Sequence, residues 1–120
     1  LGASGGHSDC AAGSKLCIIV SNLMKKDRCL IKDRVTTFTT PGETIDALVT
    51  EYGIAINPRR TDLLEKLKDS GLPLVTIEEL KAKGKELGAV DDNLVTTDRI
   101  VAIAQYRDGS VIDLVRQPKV

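Results

Sequence analysis

Aromatic side chains are scarce in this 120-residue sequence. Phe38, Tyr52 and Tyr106 are the full complement, and Trp is absent. So few rings argue against a surface that stacks nucleic-acid bases. They also leave the core to Leu, Ile, Val and Ala. Net charge is absent too, because 17 basic residues balance 17 acidic ones, so nothing draws the chain generally to a phosphate backbone. No apolar run approaches the ~18–20 residues of a membrane helix. The opening residues, Leu1 to Gly6, have neither an initiator Met nor the charged and apolar regions of a signal peptide. The expectation is a processed or excised chain. What is present, 42% hydrophobic and 28% charged residues, is an ordinary globular mix that excludes intrinsic disorder.

Paired cysteine knuckles are also missing. Cys10, Cys17 and Cys29 are odd in number, which argues against a secreted disulfide framework and for a reducing, cytoplasmic compartment. With His7 they form H-x2-C-x6-C-x11-C, which lacks the C-x2-C spacing of strong zinc sites. Cys17 lies in the apolar run Leu16 to Val20, where a thiol packs as a small hydrophobe. The sequence therefore predicts no metal.

Several elements can be read from pattern. A Gly/Ser/Ala-rich loop over residues 2–14 runs into a short helix, with Ser8 or Asp9 as its cap. Leu16 to Val20 reads as a strand covered on both faces. Asn22 to Arg28 reads as a polar connection, followed by extended segments at Cys29 to Ile31 and Arg34 to Thr40. Ala47 to Thr50 and Gly53 to Ile56 read as strands flanking a turn. Asn57 as N-cap and Pro58 at the first position start a helix that carries Leu63, Leu64 and Leu67 and stops at Gly71. Thr76 to Glu79 form a capping box, opening a helix with Leu80, Gly84 and Leu87 on one face. Asp108-Gly109 predicts a type I′ hairpin pairing Tyr106 with Val111 and Ile103 with Leu114. Strands alternating with helices indicate an α/β layer architecture.

Three segments carry chemistry. Gly5 and Gly6, beside Ser4 and His7, let a ligand approach backbone N–H groups before a helix start, which suits phosphate, carboxylate or an oxyanion. Neither a Walker loop nor G-x-G-x-x-G spacing is met, so a plain tight turn stays open beside the anion site. Glu51, at a strand-to-strand turn, is a candidate carboxylate base or a solvent-facing turn residue. Arg59 and Arg60 are placed in the first turn of the Asn57 helix, where they oppose its dipole. They answer an anionic ligand, or they form a solvated basic patch.

Taken together, these segments resemble the citrate lyase alpha chain family, within the wider superfamily of CoA-transferases and acyl-CoA hydrolases. The superfamily pattern falls on Gly5, Gly6, Asp9 and Lys15. The segments Val49 to Ala55 and Ile56 to Arg60 narrow it, and the likeness runs on through the terminal hairpin. The resemblance implies a partial Rossmann-like CoA-transferase domain over residues 1–120: an α/β fold, mixed and mostly parallel in its sheet, with flanking helices and a C-terminal β-hairpin. It implies exchange of acetate for citrate on the acyl-carrier thioester of citrate lyase, without a covalent glutamyl intermediate. It also implies a CoA-type thioester as cofactor, citrate lyase beta and acyl-carrier gamma chains as partners, and a homo-oligomer of the full-length protein. The implied site comprises Gly5, Gly6 and Glu51 as catalytic, with Ser4, His7, Arg59, Arg60 and Arg34 binding substrate. Family chains run several times longer, so the cleft here is expected to be incomplete. Two rival readings remain: another CoA-transferase or acyl-CoA hydrolase, and a non-enzymatic anion- or thioester-binding module.

Overall fold

The computed structural model describes residues 5–91 and 93–120. Its order is α1 (His7–Gly13), β1 (Ile18–Val20), β2 (Met24–Lys25), β3 (Arg28–Cys29), a 3₁₀ turn (Gly42–Thr44), β4 (Ala47–Thr50), β5 (Gly53–Ile56), α2 (Thr61–Leu67), β6 (Leu74–Val75), α3 (Ile77–Glu86), β7 (Thr96–Gln105) and β8 (Val111–Pro118). The main sheet has the order β1-β4-β5-β6. β1 runs parallel to β4 and β5 parallel to β6, while β4 and β5 form an antiparallel hairpin. The sheet is therefore mixed and mostly parallel, with helices beside it and a separate C-terminal hairpin of β7 and β8.

The core is small and aliphatic, as the lack of rings dictates. Leu23, Ala55 and Leu80 are its buried centre, ringed by Met24, Cys29, Ile31, Leu48 and Val75. Each fully buried Leu contributes about 1.5–3 kcal/mol. Thr76 caps α3 with the expected reciprocal pair: its hydroxyl accepts from Glu79 N–H at 3.1 Å, and its own N–H donates to Glu79 at 2.7 Å. Leu80 and Gly84 are the buried face of α3. Gly84 is required by close approach, since a Cβ there would stand 2.5 Å from Cys29 Sγ.

Five expectations are corrected. Leu16 to Val20 is an edge strand rather than a doubly covered one. Ile18 is 50% and Val20 77% exposed on one face, and among the described residues β1 pairs with β4 alone. Asn22 to Arg28 is not a plain connection but contains the β2–β3 hairpin, turned at Lys26 with φ 59°. Arg34 to Thr40 is no strand. It runs irregularly beside β8, where Phe38 N–H donates to Asp113 at 2.9 Å. Asn57 does not cap a helix; residues 57–60 form a turn, and α2 begins at Thr61. The final hairpin pairs Ile103 with Leu114 as expected, but Val111 faces Gln105 rather than Tyr106. Its turn has positive φ at Gly109 alone, whereas type I′ needs positive φ at two central residues. Tyr106 N–H donates to Ser110 and Gly109 N–H to Tyr106, a three-residue loop closed by a glycine bulge, which shifts the register by one.

Candidate functional site

The glycine loop leads directly into α1. Gly5 adopts φ 42°, and apart from its chain neighbours nothing lies within 4 Å of the position a side chain would take. The loop backbone is thus open on that side. Gly6 is the N-cap, with no side-chain cap. Asp9 lies inside the first helical turn and Ser8 is also helical, so neither caps the helix. Asp9 instead sits 3.9 Å from Arg107 at the tip of the last hairpin. His7 Nδ1 lies 3.0 Å from the Thr40 hydroxyl, which fixes one ring nitrogen and turns the loop toward Pro41 and the 3₁₀ turn. Ser4 falls outside the described residues.

The 3₁₀ turn meets the second arginine-bearing segment. Asn57 donates through its amide to the carbonyls of Ile45 at 2.8 Å and Gly42 at 3.3 Å. Its own carbonyl oxygen accepts from Arg59 N–H at 3.0 Å. Arg59 reaches Glu43 at 3.0 Å in an exposed ion pair. Arg60 turns the other way and bridges two carboxylates, Asp46 and Asp62. Asp46 is the buried charged residue of the site. It accepts Cys17 N–H at 2.6 Å, and that hydrogen bond, with help from Arg60, holds its carboxyl below the ordinary range. Arg60 likewise lowers Asp62 to about 2. In return the two carboxylates, Asp62 first, raise the Arg60 guanidinium further above its ordinary range.

Strand direction separates the remaining candidates. Asp46, Asn57 and Arg60 lie at the start of parallel strands β1 and β4, whereas Glu51 follows the end of β4. Five residues of extended chain place Asp46 and Glu51 about 16 Å apart. Glu51 accepts the Leu23 N–H at 2.8 Å, so its carboxylate ties the hairpin turn to the core residue Leu23. Arg34 lines a different cleft, of about 460 Å³, with Lys32, Asp33, Lys81 and Lys85. Within this chain His7 bonds Thr40, just before the 3₁₀ turn, and Arg59 bonds Glu43 within it, while Arg60 points to Asp46 and Asp62, and Glu51 and Arg34 stand apart. Among the described residues, no three His, Cys, Asp or Glu side chains converge to hold a metal ion.

A profile of the family described as citrate lyase, alpha subunit, matches residues 1–118. The chain belongs to the citrate lyase alpha subunit family. It is 49% identical over 118 residues to the citrate lyase alpha chain of Klebsiella pneumoniae and 47% identical to that of Escherichia coli K12, in both cases over 98% of this chain and 23% of the relative. The chain thus spans about a quarter of the length of these relatives. A crystal structure from Streptococcus mutans, assigned to the alpha subunit of citrate lyase and solved in complex with citrate, superposes with a TM-score of 0.93. It is 45% identical over 99% of this chain and 23% of its own. In this citrate lyase alpha subunit segment, Thr40, Glu43 and Asp46 join the site without having stood out in the sequence. Asp46 had a usable signal: it is a lone charge between Ile45 and Ala47 at a strand start. Thr40 and Glu43 had none, because only the folded connection brings them to His7 and Arg59.

Proposed function

We propose that this chain forms part of a citrate CoA-transferase, exchanging acetate for citrate on the acyl-carrier thioester of citrate lyase. The observation that carries the reading is the 0.93 TM-score to a subunit solved with citrate. The reaction converts acetyl-carrier and citrate to citryl-carrier and acetate. The acetyl C–S bond breaks, a citryl C–S bond forms, and one citrate carboxylate oxygen departs in the acetate. Negative charge develops on the thioester carbonyl oxygen, and the backbone N–H groups of Gly5 and Gly6, open beside Gly5, are the donors offered to it. The space beside Gly5 suits a CoA-type thioester lying against main chain. Arg59 and His7 are assigned to the carboxylates, with Ser4, which precedes Gly5 in the sequence. Arg60 acts from behind by bracing the turn through Asp46 and Asp62. Glu51 and Arg34 serve a reacting group only if it extends beyond this cluster.

The reading includes the beta chain and the acyl-carrier gamma chain as partners, and a homo-oligomer of the full-length subunit. It also includes a cytoplasmic location, which suits cysteines that are all free. The test uses full-length subunit, acetylated carrier and citrate labelled with heavy oxygen in its carboxylates. Acetate released only with citrate, and carrying its label, is expected. Acetate that carries solvent oxygen instead reports hydrolysis and overturns the proposal.

A further inference from the structure

The Asn57 side chain joins two loops that are far apart in sequence. Its amide donates to Ile45 and Gly42 while its carbonyl oxygen accepts from Arg59 N–H. Its backbone N–H donates to Asp46 at 2.8 Å. An amide offers both functions on one rigid plane, so a single side chain sets the Arg59 backbone against the 3₁₀ turn. Between them lies an open groove of about 520 Å³, lined by Gly42, Glu43, Asn57, Pro58 and Arg59. The two arginines differ in what holds them. Arg60 is shared by two carboxylates and is largely enclosed. Arg59 has one exposed partner, Glu43, with side chains 74% and 65% exposed. Exposed ion pairs of that kind are worth little and open readily, whereas a planar guanidinium binds a carboxylate through two parallel hydrogen bonds.

Resting on the citrate reading, we propose that this groove is a carboxylate subsite. Arg59 is its ligand, Glu43 its internal competitor and Asn57 its positioning residue. An incoming carboxylate takes the place of the Glu43 carboxylate on Arg59, and Glu43 swings into solvent. Asn57 touches no substrate; it keeps the Arg59 turn from drifting off the groove.

The test measures citrate binding to the full-length subunit by calorimetry, and acetate exchange in parallel. Asn57→Ala and Arg59→Gln are expected to weaken citrate about tenfold, the scale of one hydrogen bond to a charged group. In exchange they raise KM for citrate and leave KM for the acetylated carrier unchanged, a split that general loss of structure does not produce. Glu43→Gln is expected to tighten citrate binding, because it removes both a competitor and a repelling charge. If Asn57→Ala fails to fold, the opposite signs of Arg59→Gln and Glu43→Gln decide. Unchanged affinity in Arg59→Gln or a folded Asn57→Ala, weaker binding in Glu43→Gln, or no citrate binding by the wild type overturns the subsite. Wild-type citrate binding without acetate exchange overturns the transferase reading and leaves the subsite standing.

Discussion

Asp46 shows how one buried charge can tie two segments of a chain together. It ties the start of β1 through Cys17 N–H and the α2 approach through Arg60. Replacing it by Asn keeps the shape but removes the charge and sets an NH2 donor against one of its two donors, Cys17 N–H or Arg60, at a cost of about 2 kcal/mol. Asp46→Asn in the full-length subunit is therefore expected to lower the urea midpoint with little change in slope. Arg60→Ala combined with it should cost much less than the sum of the two. The acid side follows from the lowered carboxyls of Asp46 and Asp62. A carboxyl held lower in the folded state than in the unfolded one stabilises at pH values above its ordinary 3.8. That stability disappears as pH falls through the folded value, about 2 for Asp62. The Asp62→Asn variant should thus unfold more readily than wild type at pH 6, with the gap closing between pH ~4 and ~2. Urea curves across that range check it, and a gap that stays constant refutes it.

At the scale of elements, the parts written in local chemistry were legible. The capping box at Thr76 and Glu79 is self-contained, so four residues announce it. The strands Ala47–Thr50 and Gly53–Ile56 fall where the apolar runs and the turn between them indicated. Elements that depend on distant partners were not legible. Asn57-Pro58 has the chemistry of a helix start, but the Asn57 side chain is drawn to the Ile45 and Gly42 carbonyls, and α2 begins later. The glycine bulge at Gly109 competes with a type I′ turn written in the same two residues, and only the folded register and backbone angles tell them apart. Gly84 offers an element-scale prediction. A methyl at that position meets Cys29 Sγ at 2.5 Å and Cys29 Cβ at 2.9 Å, so α3 must move off β3. Gly84→Ala should destabilise the subunit by about 1–3 kcal/mol despite the better helix propensity of Ala. Adding Cys29→Ala should recover part of the loss, because Sγ is gone while Cβ remains. Thermal unfolding of the single and double variants measures this, and a stabilised Gly84→Ala would show that the contact is not binding.

The molecule as a whole is flat, with extents of 49 × 38 × 19 Å and a radius of gyration of 16.0 Å. A compact domain of this length has a radius near ~14 Å. In keeping with that, β7 and β8 form a two-stranded sheet of their own, and β1 ends the main sheet with apolar residues exposed. A two-stranded hairpin is marginal by itself, and Ile100, Val101, Ile103 and Val111 are each about half exposed on it. Apolar periodicity announces such strands but not what covers them, which is why Leu16 to Val20 read as buried on both faces. The candidate site has the same character. His7 and Arg59 bond either side of one short connection, Thr40 to Glu43, while Glu51 stands at the far end of β4 and Arg34 in another cleft. A chain spanning 23% of its relatives' length carries part of a candidate site and, among the described residues, a core of few buried side chains. The 120-residue chain expressed alone should therefore release no acetate from acetylated carrier and citrate, under conditions where the full-length subunit does. Its urea transition should also be shallow and its apolar surface should bind a hydrophobic dye, since little surface is withdrawn from water on folding. Turnover by the isolated chain would mean that Gly5, Gly6 and Arg59 suffice for the exchange. Inactivity with a steep, cooperative transition would place the deficit in missing catalytic groups rather than in an under-built core.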